Sequence, residues 1–331
     1  MRITIKDIAK EAGVSTASVS HVLNGTKKLS ESTTKKVMDV INKYNYIPSE
    51  NAKKLRNDHT KTIGVMVSSI QDHYVSGIIM ELSDVIRSNG YEMLFINTSE
   101  NLDYEKEAIK LLIAQRVEGL IISPVNSSSL SKYQDLFKEL PIVQVLRYDT
   151  ALSLPKVTAD DFNAGYLATK HLLSQGYKKI AIIYSKKTIN PTFDRIKGCQ
   201  QALLEFSNTN TLFLEQGFAT VEGGAKAFEE IYRRHPDVDG VFALNDFMAI
   251  GCLMKIKELK LKCPEQIGVV SFGDFASAEL IEPSVTAIHV ENKEIGRKAA
   301  HKLFNILNNH PFEQEEKVEL LLKVRNSTKR N

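Results

Sequence analysis

The first two dozen residues constrain this chain most, because they are typical of two short helices joined by a tight turn. Thr4 is suited to capping the first helix, with Asp7 three positions later near the positive end of the helix dipole. Gly13 supplies the turn, because glycine adopts a left-handed backbone at little cost. Ser15 then caps a second helix, which ends near Asn24. The pattern predicts a helix-turn-helix, whose second helix lies in the major groove of DNA.

The second helix of this motif has an apolar face and a polar face. Val19, Val22 and Leu23 fall on the inward side, so the early polar residues face outward. An ordinary helical hairpin with a polar outer face has the same spacing, and remains the alternative interpretation. The residues predicted to contact DNA from this motif are Thr4, Ser15, Thr16, Ala17, Ser18, His21 and Asn24.

The distribution of charge favours the DNA-binding interpretation. The first 61 residues hold 12 Lys and Arg against 6 Asp and Glu, whereas the whole chain holds 43 against 40. A positive end on a slightly negative body suits a polyanion that binds at one end only. A third amphipathic helix is predicted over about 31–44, and it can cover the first two. We therefore expect a DNA-binding headpiece over residues 1–47.

Two stretches carry a resemblance to a known family. TIKDIAKEAGVSTASVSHVLNG, followed by YIPSENAKKLR at 46–56, resembles the lactose/galactose-repressor (LacI/GalR) family of bacterial transcription regulators. The resemblance runs over about residues 3–326. It implies that residues 48–61 form a hinge helix and linker, and that this helix folds on DNA with an apolar wedge in the minor groove.

The hinge positions can be assigned through this resemblance. Leu55 holds the wedge position, Ala52 the small contact position, and Arg56 adds a DNA contact. A segment of seven or eight residues is too short to stay helical alone in water. A solvated linker with an isolated Leu is the alternative interpretation.

From residue 60 onward, apolar runs alternate with amphipathic segments. The first run is TIGVMV at 62–67, and the pattern starts again with KKIAIIY at 178–184. Short buried strands that alternate with helices predict parallel, doubly wound sheets. The expected fold is therefore α/β, with a small all-helical helix-turn-helix headpiece and a two-lobed effector domain that resembles periplasmic sugar-binding proteins. The predicted effector-binding and dimerisation domain covers 62–331, with a first lobe at 62–160 plus 291–317 and a second at 161–290 plus 318–325.

Ligands of open α/β sheets bind beyond the carboxyl ends of the strands, so residues just after strands are candidates for an effector site. The resemblance implies that Tyr74 matches an aromatic that stacks on ligands, and that Arg195 matches an arginine that holds ligand oxygens. The full set of predicted effector contacts is His73, Tyr74, Arg147, Arg195, Asn245 and Asp274.

Two positions depart from the family pattern. Leu146 and Gly273 stand where family members often have Asp. With both arginines retained, we expect a less negative cleft and an anionic effector, such as a sugar acid or a phosphorylated sugar. In the alternative interpretation, Asp149 or Asp274 restores an acidic site for a neutral sugar.

His21 resembles the purine-repressor branch, since many family members have an Arg here that grips a guanine. Direct base contact is the leading interpretation, and contact with a phosphate is the alternative. A purine effector is not expected, because Ile189 and Pro191 occupy the stretch where base-reading side chains would stand.

Signals for catalysis are missing from the sequence. It has no GxGxxG after a strand, no P-loop and no GxSxG elbow, and its eight His are dispersed. Asp160 and Asp161 start a predicted helix, where capping and contacts between lobes explain them better than acid/base chemistry. We therefore expect no cofactor, no metal site and no enzyme activity.

The expected function is a sequence-specific transcription regulator, acting as a repressor and controlled by a small metabolite. Three scattered cysteines, a polar start and short apolar runs favour the cytoplasm, with no membrane contact. Two headpieces that read a pseudo-palindromic operator require a homodimer. We expect no C-terminal heptad repeat of the kind that forms tetramers before Asn331. A clamshell binding protein of transport or chemoreception and a doubly wound metabolic enzyme are the alternatives.

Overall fold

A computed structural model describes residues 3–24, 27–46, 59–71, 73–186, 188–206 and 211–330 of the chain. The chain divides into two compact units, Met1–Thr60 and Lys61–Asn331.

The first unit contains the helix-turn-helix that the sequence predicts. Thr4 and Asp7 form a reciprocal capping box at its first helix, and Gly13 ends that helix with a left-handed φ of 66°. The Ser15 hydroxyl accepts a hydrogen bond from the backbone N–H of Ser18 at 3.1 Å, so it caps the second helix. The described helices are α1 (Ile5–Ala12), α2 (Thr16–Asn24) and α3 (Glu31–Lys43).

A small apolar core holds these three helices together. Ile8 of α1, Val19 of α2 and Val37 of α3 are each fully buried. Burial of one such side chain contributes about 1.5–3 kcal/mol, which is large for a unit of this size. An ion pair of 2.6 Å between Glu11 and Lys43 also joins α1 to α3.

The second unit begins with a lobe built on a six-stranded parallel sheet. Along β1, alternate residues face opposite sides, so Ile63 and Val65 pack in one apolar cluster and Met66 in another. The strands are β1 (Thr62–Val67), β2 (Glu92–Asn97), β3 (Gly119–Ile122), β4 (Ile142–Val145), β5 (Lys156–Ala159) and β11 (Glu315–Val318). Their order is β11-β5-β4-β3-β1-β2. The helices of this lobe are α4 (His73–Ser88), α5 (Leu102–Ala114), a 3-10 helix (Leu130–Leu136) and α10 (Asn292–Leu307).

A second lobe repeats this arrangement. Its strands are β6 (Lys179–Tyr184), β7 (Thr211–Gln216), β8 (Gly240–Ala243), β9 (Gly268–Gly273), β10 (Thr286–Val290) and β12 (Leu320–Lys323). Their order is β12-β10-β9-β8-β6-β7, and β12 runs antiparallel to β10. Its helices are α6 (Asp161–Ser174), α7 (Asn190–Phe206), α8 (Val221–Arg234) and α9 (Asp246–Glu258).

The α/β fold class is confirmed, while three strands were not predicted from the sequence. These are β5, β10 and β11, which carry polar residues and lack the long apolar run of a central strand. The chain passes between lobes after β5, after β10, and between β11 and β12. Among the described residues, no helix is both long enough and apolar enough to span a membrane.

Two glycines let α6 and α7 approach closely. A Cβ added to Gly165 would overlap the carbonyl oxygen of Arg195, and one added to Gly198 would overlap the carbonyl oxygen of Phe162. Because only glycine permits this distance between the two backbones, the start of α6 lies directly against Arg195 of α7.

Candidate functional site

The predicted DNA-contacting residues of the headpiece lie on and around α2. Thr16 and Ala17 are exposed in its first turn, while Ser18 and His21 are half-buried. The hydroxyl of Thr4 is bonded to Asp7 at 2.6 Å, which gives Thr4 a capping role in α1. The early turn of α2 is therefore the accessible part of this motif.

Exposed cations accompany this surface. On the described part of the headpiece, exposed lysines are Lys6, Lys10, Lys27, Lys28, Lys35, Lys36 and Lys43. Their side chains place positive charge in water, where a phosphate backbone can reach them.

Several predicted contacts fall on positions that the structure does not describe. The hinge residues Ala52, Leu55 and Arg56 lie outside the described residues, as do the side chains of Asn24 and His73. The hinge helix and its wedge stay predictions from the sequence.

A cavity of about 390 Å³ lies in the second unit, at the carboxyl ends of strands from both sheets. Ser68 and Ser123 follow β1 and β3 of the first lobe, and Ser185 follows β6 of the second. This is where open α/β sheets bind ligands. Four of the predicted effector contacts line it, namely Tyr74, Arg147, Arg195 and Asn245.

Aromatic rings from the two lobes meet in this cavity. Tyr74 of the first lobe packs edge-on against Phe272 of the second, with 5.6 Å between ring centroids. The guanidinium carbon of Arg195 lies 3.3 Å from the centroid of Phe272, a cation–π contact. Tyr74 is only 8% exposed, because these partners and its own helix cover it. Its predicted stacking on a ligand stays a prediction.

Arg195 is paired with Asp161, for which helix capping and contacts between lobes were predicted. Its Nε and terminal nitrogen lie 2.8 and 2.7 Å from Oδ1 of Asp161, and another nitrogen donates to the carbonyl of Leu244 at 2.8 Å. Burial raises the pKa of Asp161, and the attraction of Arg195 opposes that shift. Asp160, at the N-cap of α6, makes no side-chain capping bond. The capping interpretation of this pair is therefore wrong.

Arg147 is paired as well. Its two terminal nitrogens donate to the two oxygens of Glu100 at 2.8 and 2.9 Å, and Lys186 donates to the same carboxylate at 2.8 Å. Burial pushes the pKa of Glu100 upward, but the hydrogen bonds and charges of Arg147 and Lys186 outweigh it, so the pKa is lowered. Both cavity arginines therefore have carboxylate partners, and the anionic effector expected from the sequence stays a prediction.

The two aspartates considered for an acidic site are occupied elsewhere. Asp149 is fully buried, and its carboxylate accepts hydrogen bonds from the backbone N–H groups of Ser131 and Ala151. Asp274 has a left-handed φ of 62°, and neither aspartate lines the cavity.

Asp274 instead anchors the edge strand of the second sheet. Its carboxylate lies 2.7 Å from Lys323, 2.8 Å from Arg325 and 2.9 Å from His289. Burial pushes its pKa upward, but the bonds from Lys323 and Arg325 outweigh it and lower the pKa. The prediction that Asp274 contacts the effector disagrees with this geometry, because its carboxylate is paired with Lys323 of β12 and with Arg325, which follows β12.

The cavity residues that were not predicted from the sequence include Glu100, Phe218 and Lys186. Glu100 lies three residues after β2, and Phe218 lies two residues after β7. The rule that ligands bind beyond strand ends could have identified both residues. Phe218 is 76% exposed, which is unusual for an aromatic side chain at a cavity. Lys186 joins Glu100 from the second lobe.

Asn245 has a structural bond that limits what it can offer a ligand. Its Oδ1 accepts a hydrogen bond from Met248 N at 2.9 Å and caps α9. A ligand at this place therefore meets the Nδ2 donor rather than the oxygen.

Direct hydrogen bonds join the two lobes beside the cavity. Ser127 Oγ donates to Oδ1 of Asn190 at 2.7 Å, and its N–H donates to the carbonyl of Thr188 at 3.1 Å. These bonds and the Glu100–Lys186 pair depend on the relative position of the lobes, so a ligand in the cavity can shift them. Within the described ranges, no cluster of three His, Cys, Asp or Glu could hold a metal ion.

Two family models match this chain, and together they cover most of its length. Residues 4–49 match the family model described as bacterial regulatory proteins, lacI family. Residues 60–329 match the model described as periplasmic binding proteins and sugar binding domain of LacI family.

Curated relatives cover nearly the whole chain. A protein of Histophilus somni (strain 2336), named HTH-type transcriptional repressor PurR, is 31% identical over 94% of each chain. A protein of the same name from Pasteurella multocida (strain Pm70) is 33% identical over 92% of each chain.

Solved structures share the fold. The Lac repressor dimer bound to operator and the anti-inducer ONPF superposes with a TM-score of 0.87 at 22% identity, over 99% of each chain. The complex of the transcriptional regulator CelR with cellobiose gives a TM-score of 0.72 at 25% identity, over 98% of this chain and 100% of the other.

Proposed function

Because the chain belongs to the LacI family of bacterial regulatory proteins, we propose that it represses transcription by binding operator DNA under the control of a small effector. The family and its named relatives are DNA-binding transcription regulators, and the chain is not an enzyme.

The single observation that carries operator binding is the helix-turn-helix itself. Its second helix is capped by Ser15, the first-turn residues Thr16 and Ala17 are exposed, and the described part of the headpiece carries exposed lysines. Early residues of such a helix contact base edges, while lysines contact phosphates. In this proposal the protein acts in the cytoplasm. It acts as a homodimer, because two headpieces are needed to read the two halves of a pseudo-palindromic operator.

The proposed effector is a small neutral metabolite of carbohydrate type. A cavity of about 390 Å³ suits a ligand of this size. Hydroxyl groups of Ser68, Ser123 and Ser185 can bond to ligand hydroxyls, while the exposed ring of Phe218 offers an apolar face. Each arginine of the cavity already has a carboxylate partner, so the geometry favours a neutral effector over the anionic one first expected.

A purine base is the second candidate effector. The relatives named PurR and the likeness of His21 to the purine-repressor branch motivate it. Ile189 and Pro191 line the cavity and offer no side-chain hydrogen bond to the edge of a base. The carbohydrate therefore remains the first candidate.

Control of DNA binding follows from the position of the cavity between lobes. A ligand that bonds to Ser68 of one lobe and Asn245 of the other favours one relative position of the lobes. By linkage, it changes operator affinity only to the extent that it binds the two states differently.

Selection of genomic fragments by the full chain, followed by gel-shift titration, tests operator binding. Thr16→Glu places a negative charge in the first turn of α2. The helix dipole stabilises a negative charge there, whereas the phosphates of DNA repel it. We expect Thr16→Glu to abolish selective binding. Ser32→Glu, at the corresponding exposed turn of α3, is the matched control and should retain binding.

The outcomes separate the candidate functions. A wild-type chain that selects no fragment, or one that Thr16→Glu leaves unchanged, contradicts the repressor proposal and favours a ligand-binding protein without regulatory DNA contact. Release or tightening of the selected fragment by neutral sugars or by purine bases then identifies the effector class.

A further inference from the structure

Glu100 is a carboxylate that faces the cavity and is held there by two cations. Its side chain is 27% exposed, whereas that of Arg147 is 16% exposed and that of Lys186 is 38% exposed. All three residues line the cavity. A carboxylate in this position occupies the bonding groups that any anion entering the cavity would use.

The geometry of the pair is that of strong anion recognition. Arg147 donates from two terminal nitrogens to the two oxygens of Glu100, at 2.8 and 2.9 Å, which is the fork arrangement that guanidinium groups make with carboxylates and phosphates. Arg147 is itself held by the carbonyl of Val125 at 3.1 Å, so its fork has a fixed direction. The arrangement of Arg147 therefore suits an oxyanion, and the carboxylate of Glu100 occupies this position.

Lys186 adds a second cation from the other lobe. Its Nζ lies 2.8 Å from Oε2 of Glu100, so one carboxylate is shared between cations of both lobes. The three groups together carry one net positive charge. Without the charge of Glu100, they would carry two positive charges facing the cavity.

We propose that Glu100 determines the charge class of the effector, because it fills the oxyanion site of Arg147 and Lys186 and so restricts the cavity to neutral ligands. This inference rests on the proposed function and deepens it. An anionic ligand has to displace Glu100 and meet its negative charge, whereas a neutral ligand can use the carboxylate as an acceptor for a hydroxyl or N–H group.

Neutralisation of Glu100 tests this directly. Glu100→Gln has nearly the same shape and removes the charge, which leaves Arg147 and Lys186 without their anion. Inorganic phosphate is titrated by calorimetry into the full chain at pH 7.5 and fixed ionic strength, with chloride as the balancing anion. We expect phosphate to bind Glu100→Gln at least tenfold more tightly than wild type. The double variant Glu100→Gln/Arg147→Gln should lose this gain.

A matched control removes a carboxylate that does not face the cavity. Glu81 pairs with Arg297 at 2.9 Å, and neither residue lines the cavity. Glu81→Gln breaks an ion pair of similar length, and phosphate binding should stay at the wild-type level. Glu100→Ala provides a second test at the same position, in case the Gln side chain perturbs folding, which circular dichroism of each variant checks.

Two outcomes overturn the inference. One is equal phosphate affinity in wild type and Glu100→Gln, and the other is an equal gain in Glu81→Gln. Operator binding is measured on the same preparations. Wild-type operator binding with no phosphate gain in Glu100→Gln refutes the role of Glu100 alone, whereas loss of all DNA selection refutes the proposed function without bearing on the phosphate result.

Discussion

Removal of Asp161 should destabilise the second lobe strongly, because it leaves the charge of Arg195 buried without a partner. The two side chains are 8% and 10% exposed, and two nitrogens of Arg195 lie within 2.8 Å of Asp161 Oδ1. Breaking a buried ion pair in this way costs about 3–5 kcal/mol. The remaining bond to the Leu244 carbonyl and the contact with Phe272 do not neutralise the charge.

The assay is thermal unfolding of the full chain, combined with hydrogen exchange of α6 and α7. The expected loss lowers the unfolding temperature of the second lobe by roughly 10 °C, from about 2–4 °C per kcal/mol for a unit of this size. Faster exchange confined to α6, α7 and their neighbours would locate the effect there.

Replacing both partners provides the decisive comparison. Asp161→Leu combined with Arg195→Met removes the charge as well as its partner, and such replacements are often neutral or stabilising. The double variant should therefore be more stable than Asp161→Ala alone. Glu230→Ala breaks the exposed pair with Arg233 on α8 and should leave the unfolding temperature nearly unchanged. An unfolding temperature of Asp161→Ala equal to that of Glu230→Ala would refute the reasoning.

Three further perturbations test other parts of the molecule. His21→Ala should lose operator preference at one or two base pairs, by about 1–3 kcal/mol, in a randomised-operator binding assay; an unchanged specificity profile would contradict direct base contact by His21. Burial lowers the pKa of His171, so the fold favours its neutral form, and stability should fall as pH drops below the unfolded value of about 6.5. His171→Asn should flatten this part of the profile of unfolding temperature against pH, and an unaltered slope would assign the dependence to another group. Gly198→Ala should lower stability by about 1–3 kcal/mol in thermal unfolding, because its Cβ overlaps the Phe162 carbonyl, whereas Gly240→Ala meets only ordinary contacts at 3.4 Å and should cost less. Equal losses in the two glycine variants would count against close packing of α6 on α7.

The local parts of the headpiece could be predicted because their causes lie within a few residues. Thr4 bonds to Asp7 and Ser15 to Ser18, each three positions away, and Gly13 adopts its left-handed φ within the turn itself. The alternating apolar runs likewise predicted most strands of both lobes and the α/β class. In each case the information is contained in a short window of sequence.

The pairing of charges in the cleft could not be predicted in this way. Glu100 meets Arg147 across 47 positions and Lys186 across 86, and Asp161 meets Arg195 across 34. From the sequence alone, both arginines were predicted to bind an anionic ligand. Their partners depend on which strands and helices become neighbours.

The sequence by itself determined the helix-turn-helix, the two-lobed α/β architecture and the family. Only the tertiary structure decided the electrostatic character of the cleft, since it brings Glu100 to the arginine fork and turns Asp274 toward the edge strand β12. The physical reason is that helix caps and apolar periodicity act over a few residues. The interaction energy of a charged group instead depends on which groups surround it in space.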